Sequence, residues 1–276
     1  MALLTCSPRN SSVVTKTDCT LYKLLKSDFE EIVQMDSTFS NILNEKYKDN
    51  TQYNNLKTLQ PFAMLEPEKM LTLTEKLKEK KYSAGEDIIK QGEDGDAYYI
   101  VKSGSLAVIK QKGDEEPVQV ATLTTGHAFG EESLIREEPR NATVRAIEET
   151  TVLRLEKKDF EEILQSAYLA WDFPEEVEEK RDDYFLIDAR IPPEYEEEHI
   201  KGAVNIPIEI LRQKYSALDP SITYRTYCLN DSRGMTAAFL MKSQGFKVQA
   251  IKGGLSGWDG QVVQGGNGIH TPKNQA

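Results

Sequence analysis

The chain has 276 residues, with 34 basic and 45 acidic side chains and a formal charge of −11. That length points to roughly two domains. The acidity excludes a general basic face for nucleic acid and opposes an anionic membrane surface. Hydrophobic residues reach 39%, enough for packed cores, and no run approaches the roughly 18 apolar residues of a membrane span. Three cysteines, Cys6, Cys19 and Cys228, are too few and too scattered for a disulfide framework or a zinc site, so no metal is expected. The opening residues lack a basic stretch and an apolar stretch long enough for a signal peptide, which predicts a reduced, cytoplasmic protein.

The chain opens on a segment that it repeats later. Residues 2–34 match residues 133–165 without a gap, at an offset of 131. Pro8-Arg9-Asn10 falls on Pro139-Arg140-Asn141, and Asp28-Phe29-Glu30-Glu31-Ile32 falls on Asp159-Phe160-Glu161-Glu162-Ile163. Residues 1–50 therefore read as the C-terminal half of a unit that is complete at 56–166. Nothing ahead of Arg9 supplies the first strands of that unit. The partial copy is then either a remnant packed on the complete one or a sign that the natural start lies upstream.

In the complete unit, apolar spacing predicts a helix over 64–81. Strand-length segments follow at 86–90, 97–102, 106–110, 118–123, 143–147 and 151–155, separated by Gly92, Gly95, Gly104, Gly113 and Gly126. Many short strands with glycine turns indicate a sandwich or small barrel. A helix is expected from Asp159, and 167–182 reads as an acidic connector. Over 183–262 strands alternate with helices, the pattern of a small α/β domain with a mainly parallel sheet. Residues 263–276 read as a loose tail. The acidic segment after the first domain offers no basic recognition helix, which sets aside a transcription factor.

The run from Phe129 to Val144 is the informative part of the first domain. Gly130 and the residues after it present free N–H groups to an anion, and Arg140 can grip two phosphate oxygens at once. This run resembles the phosphate-binding cassette of cyclic nucleotide-binding domains, and the resemblance extends over 56–165. It implies a β-roll, a jelly-roll-like barrel with flanking helices. It also implies a nucleotide held by Gly130, Glu131, Glu132, Ser133, Arg140, Asn141 and Ala142, with Glu131 accepting from the ribose 2′-hydroxyl. Val120, Leu123 and Ala142 would line the sugar and base. Tyr168 or Trp171 would be a lid over the base or interdomain packing. Cyclic AMP is the default ligand and cyclic GMP the alternative. The plain structural alternative is that Arg140 only ties its turn to Glu131.

Tyr227-Cys228-Leu229-Asn230-Asp231-Ser232-Arg233-Gly234 joins a strand to a helix. Together with Leu186–Arg190, His199–Pro207 and Gly253–Trp258, it resembles the active-site loop and framework of rhodanese domains. The resemblance implies Cys228 as a nucleophile that carries a persulfide and Arg233 as the anion binder. Leu229, Asn230, Asp231 and Ser232 would form the cradle, with Asp188 and Arg190 bracing it and His199 structural. Asp231 departs from the usual glycine, and its charge is expected to oppose an anionic donor such as thiosulfate. The combined expectation is a multidomain α+β and α/β protein of bacterial signalling type, a cyclic nucleotide sensor governing a thiosulfate sulfurtransferase. Its alternative is a non-catalytic binding module. The expected partners are the nucleotide, a small sulfur donor and, as a homodimer, a second copy of the chain.

Overall fold

The computed structural model describes residues 14–35, 56–63, 65–179 and 183–265. The chain divides into two compact units, 1–56 and 57–276. In the first unit the helix α1 spans Lys26–Met35, where the internal repeat places the counterpart of the later helix beginning at Lys157. No strand forms among the described residues 14–25, although residues 150–156, which the repeat matches to 19–25, form one. A strand needs a neighbour for its N–H and C=O groups, and among the described residues none pairs with this segment. Cys6, Pro8, Arg9 and Asn10 lie outside the described residues.

The second unit begins with a short turn at Gln60–Phe62 and the helix α2, Pro67–Lys76, with its proline in the first turn. The helix stops earlier than its apolar spacing predicts. Leu77 turns extended, and Lys78–Tyr82 becomes β1. What decides this is cross-strand pairing with a segment more than sixty residues away, which no local period records.

The strands that follow are β2 Asp87–Ile89, β3 Ala97–Ser103, β4 Ser105–Lys110, β5 Val118–Thr124 and β6 Ala128–Phe129. After the helix α3, Glu131–Arg136, come β7 Thr143–Ala146 and β8 Thr150–Glu156. They form two antiparallel four-stranded sheets, β1-β8-β3-β6 and β2-β7-β4-β5, which make the expected β-roll. Side chains alternate along β3. Ala97, Tyr99 and Val101 enter the core between the sheets with Leu106, Val144 and Val152. Tyr98 instead packs on Phe160 of the helical segment 157–168 (α4), with ring centroids 5.2 Å apart.

Within the stretch expected as a connector, residues 171–179 form elements packed with the second domain. Trp171–Asp172 forms β9, an edge strand parallel to β14, Lys247–Ile251. Pro174–Glu179 forms α5 and buries Val177 in the core. Val177, set among the four glutamates of this helix, anchors the segment. Further elements are β10 Phe185–Asp188, α6 Pro192–Glu197, β11 His199–Ile200, β12 Val204–Asn205 and α7 Ile208–Lys214. The domain finishes with β13 Thr223–Tyr227, α8 Ser232–Lys242 and, beyond β14, β15 Val262–Val263. The sheet order is β12-β10-β13-β14-β9, and every pair is parallel. Neighbouring residues of β10 feed opposite faces. Ile187 packs with Leu211, Ala237 and Met241 of α7 and α8, while Leu186 packs with Tyr184, Tyr195 and Trp258. Val263, placed in the tail by composition, pairs with His199.

Candidate functional site

Two candidate sites lie on successive connections of this framework. In the first, Gly130 adopts φ 91° between β6 and α3, a left-handed turn that favours glycine. A Cβ at that position would crowd Arg140 Nη1 at 2.9 Å and Ala97 O at 3.1 Å. Arg140 is 5% exposed, with its guanidinium turned inward beneath the loop. Its Nη1 donates to Gly130 O at 2.7 Å and Ser133 Oγ at 2.8 Å, and its Nη2 to Ala97 O at 2.7 Å and Asp96 Oδ1 at 3.0 Å. Asp96, not Glu131, is thus its carboxylate partner, so the structural alternative of an Arg140–Glu131 tie is not what forms. Burial works to raise the pKa of Asp96, but hydrogen bonds from Arg154 and Arg140 outweigh it and hold the carboxyl below its usual range.

Glu131 is 2% exposed, and its carboxylate is instead paired with Arg212 of α7. Arg212 also stands 3.9 Å from Glu132. Burial, and then the charge of Glu131, push the Glu132 carboxyl up. Asn141 Nδ2 donates to Glu132 Oε2 at 2.7 Å. Ala142 is buried, Leu123 is half-buried, and Val120 is exposed.

In the second site Cys228 follows the C-terminal end of β13, and Ser232 starts α8 four residues later. The cysteine is 1% exposed, and its Sγ donates to Asn230 O at 3.3 Å. Leu255 N donates to Cys228 O and Ser256 N to Leu229 O, both at 2.8 Å, which seats the loop on the turn Gly254–Gly257. Asp231, where a glycine is usual, is tied to the next turn. Its carboxylate accepts from Gly253 N at 2.7 Å and from Lys252 Nζ at 2.5 Å, so its charge is compensated within the fold. Lys252 also lies over the Trp171 ring, 4.3 Å from its centroid.

Arg233 is engaged as well. Its two terminal nitrogens donate to both oxygens of Glu194 at 2.6 and 2.7 Å, an interaction that holds the Glu194 carboxyl below its usual range. Asp188 and Arg190 form a buried bidentate pair, with Arg190 Nη2 at 2.7 Å from Asp188 Oδ2. Their reach to the loop is indirect. Asp188 stands beside Tyr227 in the sheet, and Tyr227, whose hydroxyl accepts from Ile200 N at 3.1 Å, precedes the cysteine by one residue. His199 is fully buried, stacked on Tyr195 with Nδ1 at 2.8 Å from Tyr195 O, which is a packing role.

Residues 79–167 match the family model of the cyclic nucleotide-binding domain, and residues 173–261 match that of the rhodanese-like domain. The chain joins a cyclic nucleotide-binding domain to a rhodanese-like domain. Its relatives include the cAMP-dependent protein kinase regulatory subunits of Neurospora crassa (34% identical over 59% of this chain and 40% of that protein) and Candida albicans (31%, over 59% and 33%). The chain therefore spans two fifths or less of the length of these curated relatives. Among solved structures it is similar to the regulatory domain of Toxoplasma gondii PKA with cAMP, at 29% identity and a TM-score of 0.43 over 51% of each chain. The catabolite activator protein of Thermus thermophilus is 30% identical, with a TM-score of 0.36 over 39% of this chain and 51% of that one.

The rhodanese-like domain packs directly on the helix that follows Gly130. The cassette helix α3 lies against α8, and a cavity of about 520 Å³ opens where the two domains meet. Leu123, Ala128 and Glu131 line it from the nucleotide-binding domain, and Arg212, Tyr215 and Phe239 from the rhodanese-like domain. Neither aromatic weighed as a base lid lies there. Tyr168 is buried, with its hydroxyl on Pro61 O at 2.5 Å and its ring edge-on to Phe239, and Trp171 is in β9. Tyr168 thus packs between the two domains. Arg212, Tyr215 and Lys252 were not singled out from the sequence, and Glu194 and Asp96 stood there only within the motifs Glu194-Tyr195 and Gly92–Asp96, with no site role. Each acquires its role by meeting a residue distant in the chain, and no local motif marks such a meeting. Among the described residues no cluster suited to a metal ion is found and no helix is long and apolar enough to cross a membrane.

Proposed function

We propose that this protein is a cyclic AMP sensor whose rhodanese-like domain carries a sulfurtransferase site on Cys228. The observation that carries the nucleotide half is the inward, hydrogen-bonded Arg140 beneath Gly130 and Ser133. The four terminal N–H groups of Arg140 are donated to Gly130 O, Ser133 Oγ, Ala97 O and Asp96, so an anion takes the donors that the Ser133 and Asp96 side chains give up. Gly130, Glu131, Glu132, Ser133, Asn141 and Ala142 complete the binding loop, and cAMP is preferred because it is the nucleotide named in the relatives. In the second site the Cys228 sulfur attacks the outer sulfur of thiosulfate, and sulfite leaves with the bonding pair. The resulting persulfide passes its sulfur to a nucleophile such as cyanide.

Titration calorimetry with cAMP and cGMP tests the first half. Wild type should bind cAMP, and Arg140→Ala should not. Equal binding by both proteins refutes the assignment.

A second reading has its own support. Cys228 is almost fully buried and Arg233 is neutralised by Glu194, as suits a rhodanese fold that displays a surface without catalysing sulfur transfer. Mass spectrometry after incubation with thiosulfate separates the two. An added sulfur on Cys228 supports the enzyme, and an unmodified thiol supports the display module.

A further inference from the structure

We propose that Lys252 selects the class of sulfur donor that reaches Cys228, its ammonium cancelling the Asp231 carboxylate of the cysteine loop so that a small anion can approach. This rests on the sulfur-transfer reading above and names the residue that sets its donor class.

The loop carries two charged side chains, Asp231 and Arg233. Arg233 has both terminal nitrogens on Glu194, so it offers an arriving anion no net positive charge. Asp231 directly follows Asn230, whose carbonyl oxygen is 3.3 Å from Cys228 Sγ. Uncompensated, the Asp231 charge would repel any anion at the sulfur. Gly253 N gives this carboxylate a dipole, and Lys252 Nζ, at 2.5 Å, gives it a full opposite charge.

Lys252 is itself placed by β9. Its N–H donates to Asp172 O at 2.9 Å, and its ammonium lies 4.3 Å from the centroid of the Trp171 ring. A ring face and a carboxylate together remove the rotamer freedom that would spread this charge. The Asp172 carboxylate does not compete for it, being paired with Arg225. The Lys252–Asp231 pair is open to solvent, with side chains 47% and 34% exposed. An ion pair this open adds little to folding stability. It does decide whether the loop is neutral or singly negative. A dianion such as thiosulfate feels twice the repulsion that a monoanion feels, and a neutral reagent feels none.

The test compares alkylation of Cys228 by anionic iodoacetate and neutral iodoacetamide in the full chain, followed by peptide mass spectrometry. The two reagents share a leaving group and nearly a size, so burial and loop opening cancel in the ratio of their rates. Lys252→Met keeps the stem and removes the charge. Its iodoacetate-to-iodoacetamide ratio should fall about five-fold below that of wild type, and less at about 0.5 M salt. Lys252→Arg should stay near wild type. Adding Asp231→Asn to Lys252→Met removes the bare carboxylate, keeps an acceptor for Gly253 N, and should restore the ratio. With thiosulfate, Lys252→Met should raise the KM for persulfide formation on Cys228 by more than the ratio falls, at an unchanged kcat. An unchanged ratio in Lys252→Met, or a fall that Asp231→Asn does not reverse, overturns the proposal. A wild type that gains no sulfur from thiosulfate while the ratio falls as stated refutes the sulfur-transfer reading and upholds the charge assignment.

Discussion

Arg136 Nε donates to Ser232 Oγ at 3.3 Å, joining the last residue of the cassette helix to the first residue of the helix behind Cys228. The two candidate sites are therefore in direct contact, on a path shorter than the chain through α4, β9 and α5. Removing this single part-buried hydrogen bond should lower global stability by only about 1 kcal/mol. Its local effect should be larger. In Arg136→Ala, alkylation of Cys228 by iodoacetamide should quicken at least three-fold, followed by intact-protein mass spectrometry. An unchanged rate would mean that this contact does not hold the cysteine loop closed.

Arg140 should matter to the fold as well as to the ligand. Its removal takes the side-chain donor from the buried carbonyl of Ala97 and one of the donors from that of Gly130, which keeps Ser133 Oγ. Arg140→Ala should cost about 1–3 kcal/mol in urea denaturation. Arg140→Lys should keep the charge but lose the forked donation, so its cAMP affinity should fall at least ten-fold below that of wild type.

The Asp188–Arg190 pair predicts a larger loss. Both side chains are at or below 4% exposure, and Arg190 reaches Glu198 O at 2.5 Å. Asp188→Asn leaves the guanidinium buried without its counter-charge and should destabilise the protein by about 3–5 kcal/mol. Denaturant unfolding that shifts by less than 1 kcal/mol would show that solvent reaches the pair.

Glu194 gives a pH dependence of defined sign. Its folded pKa is held below its ordinary 4.5 by hydrogen bonds from Arg233, against the opposing effect of burial. The pair therefore contributes stability that is fully present above pH 4.5 and is lost as pH falls through the lower folded value. Glu194→Gln should remove that acid-side slope and free Arg233 for anions. Thiosulfate-dependent persulfide formation on Cys228 should then rise several-fold. A rate equal to that of wild type would indicate that Arg233 is not the group limiting donor entry.

Gly254 should not tolerate a side chain. At φ +55° a Cβ would run into the carbonyl oxygens of Asn230 and Cys228. Left-handed backbone alone costs an L residue about 1–3 kcal/mol. Gly254→Ala should lower the melting temperature and displace the cysteine loop, seen as shifted amide resonances for Cys228 to Ser232.

Much of this molecule is written locally. Glycine spacing marks the β-roll, the alternation of strand and helix marks the parallel sheet, and the two loops around Arg140 and Cys228 identify themselves by residue type and order. Such features depend on backbone geometry over a few residues, which short sequence windows carry. The end of α2 at Lys76, the placement of Trp171 in a sheet edge, and the charge partners of Glu131, Asp231 and Arg233 depend on segments that meet only after folding. Arg212 lies 81 positions beyond Glu131 in the chain and Glu194 lies 39 before Arg233. Charge attraction in a packed interior is set by distance in space, so only the tertiary structure could decide which carboxylates those arginines would meet.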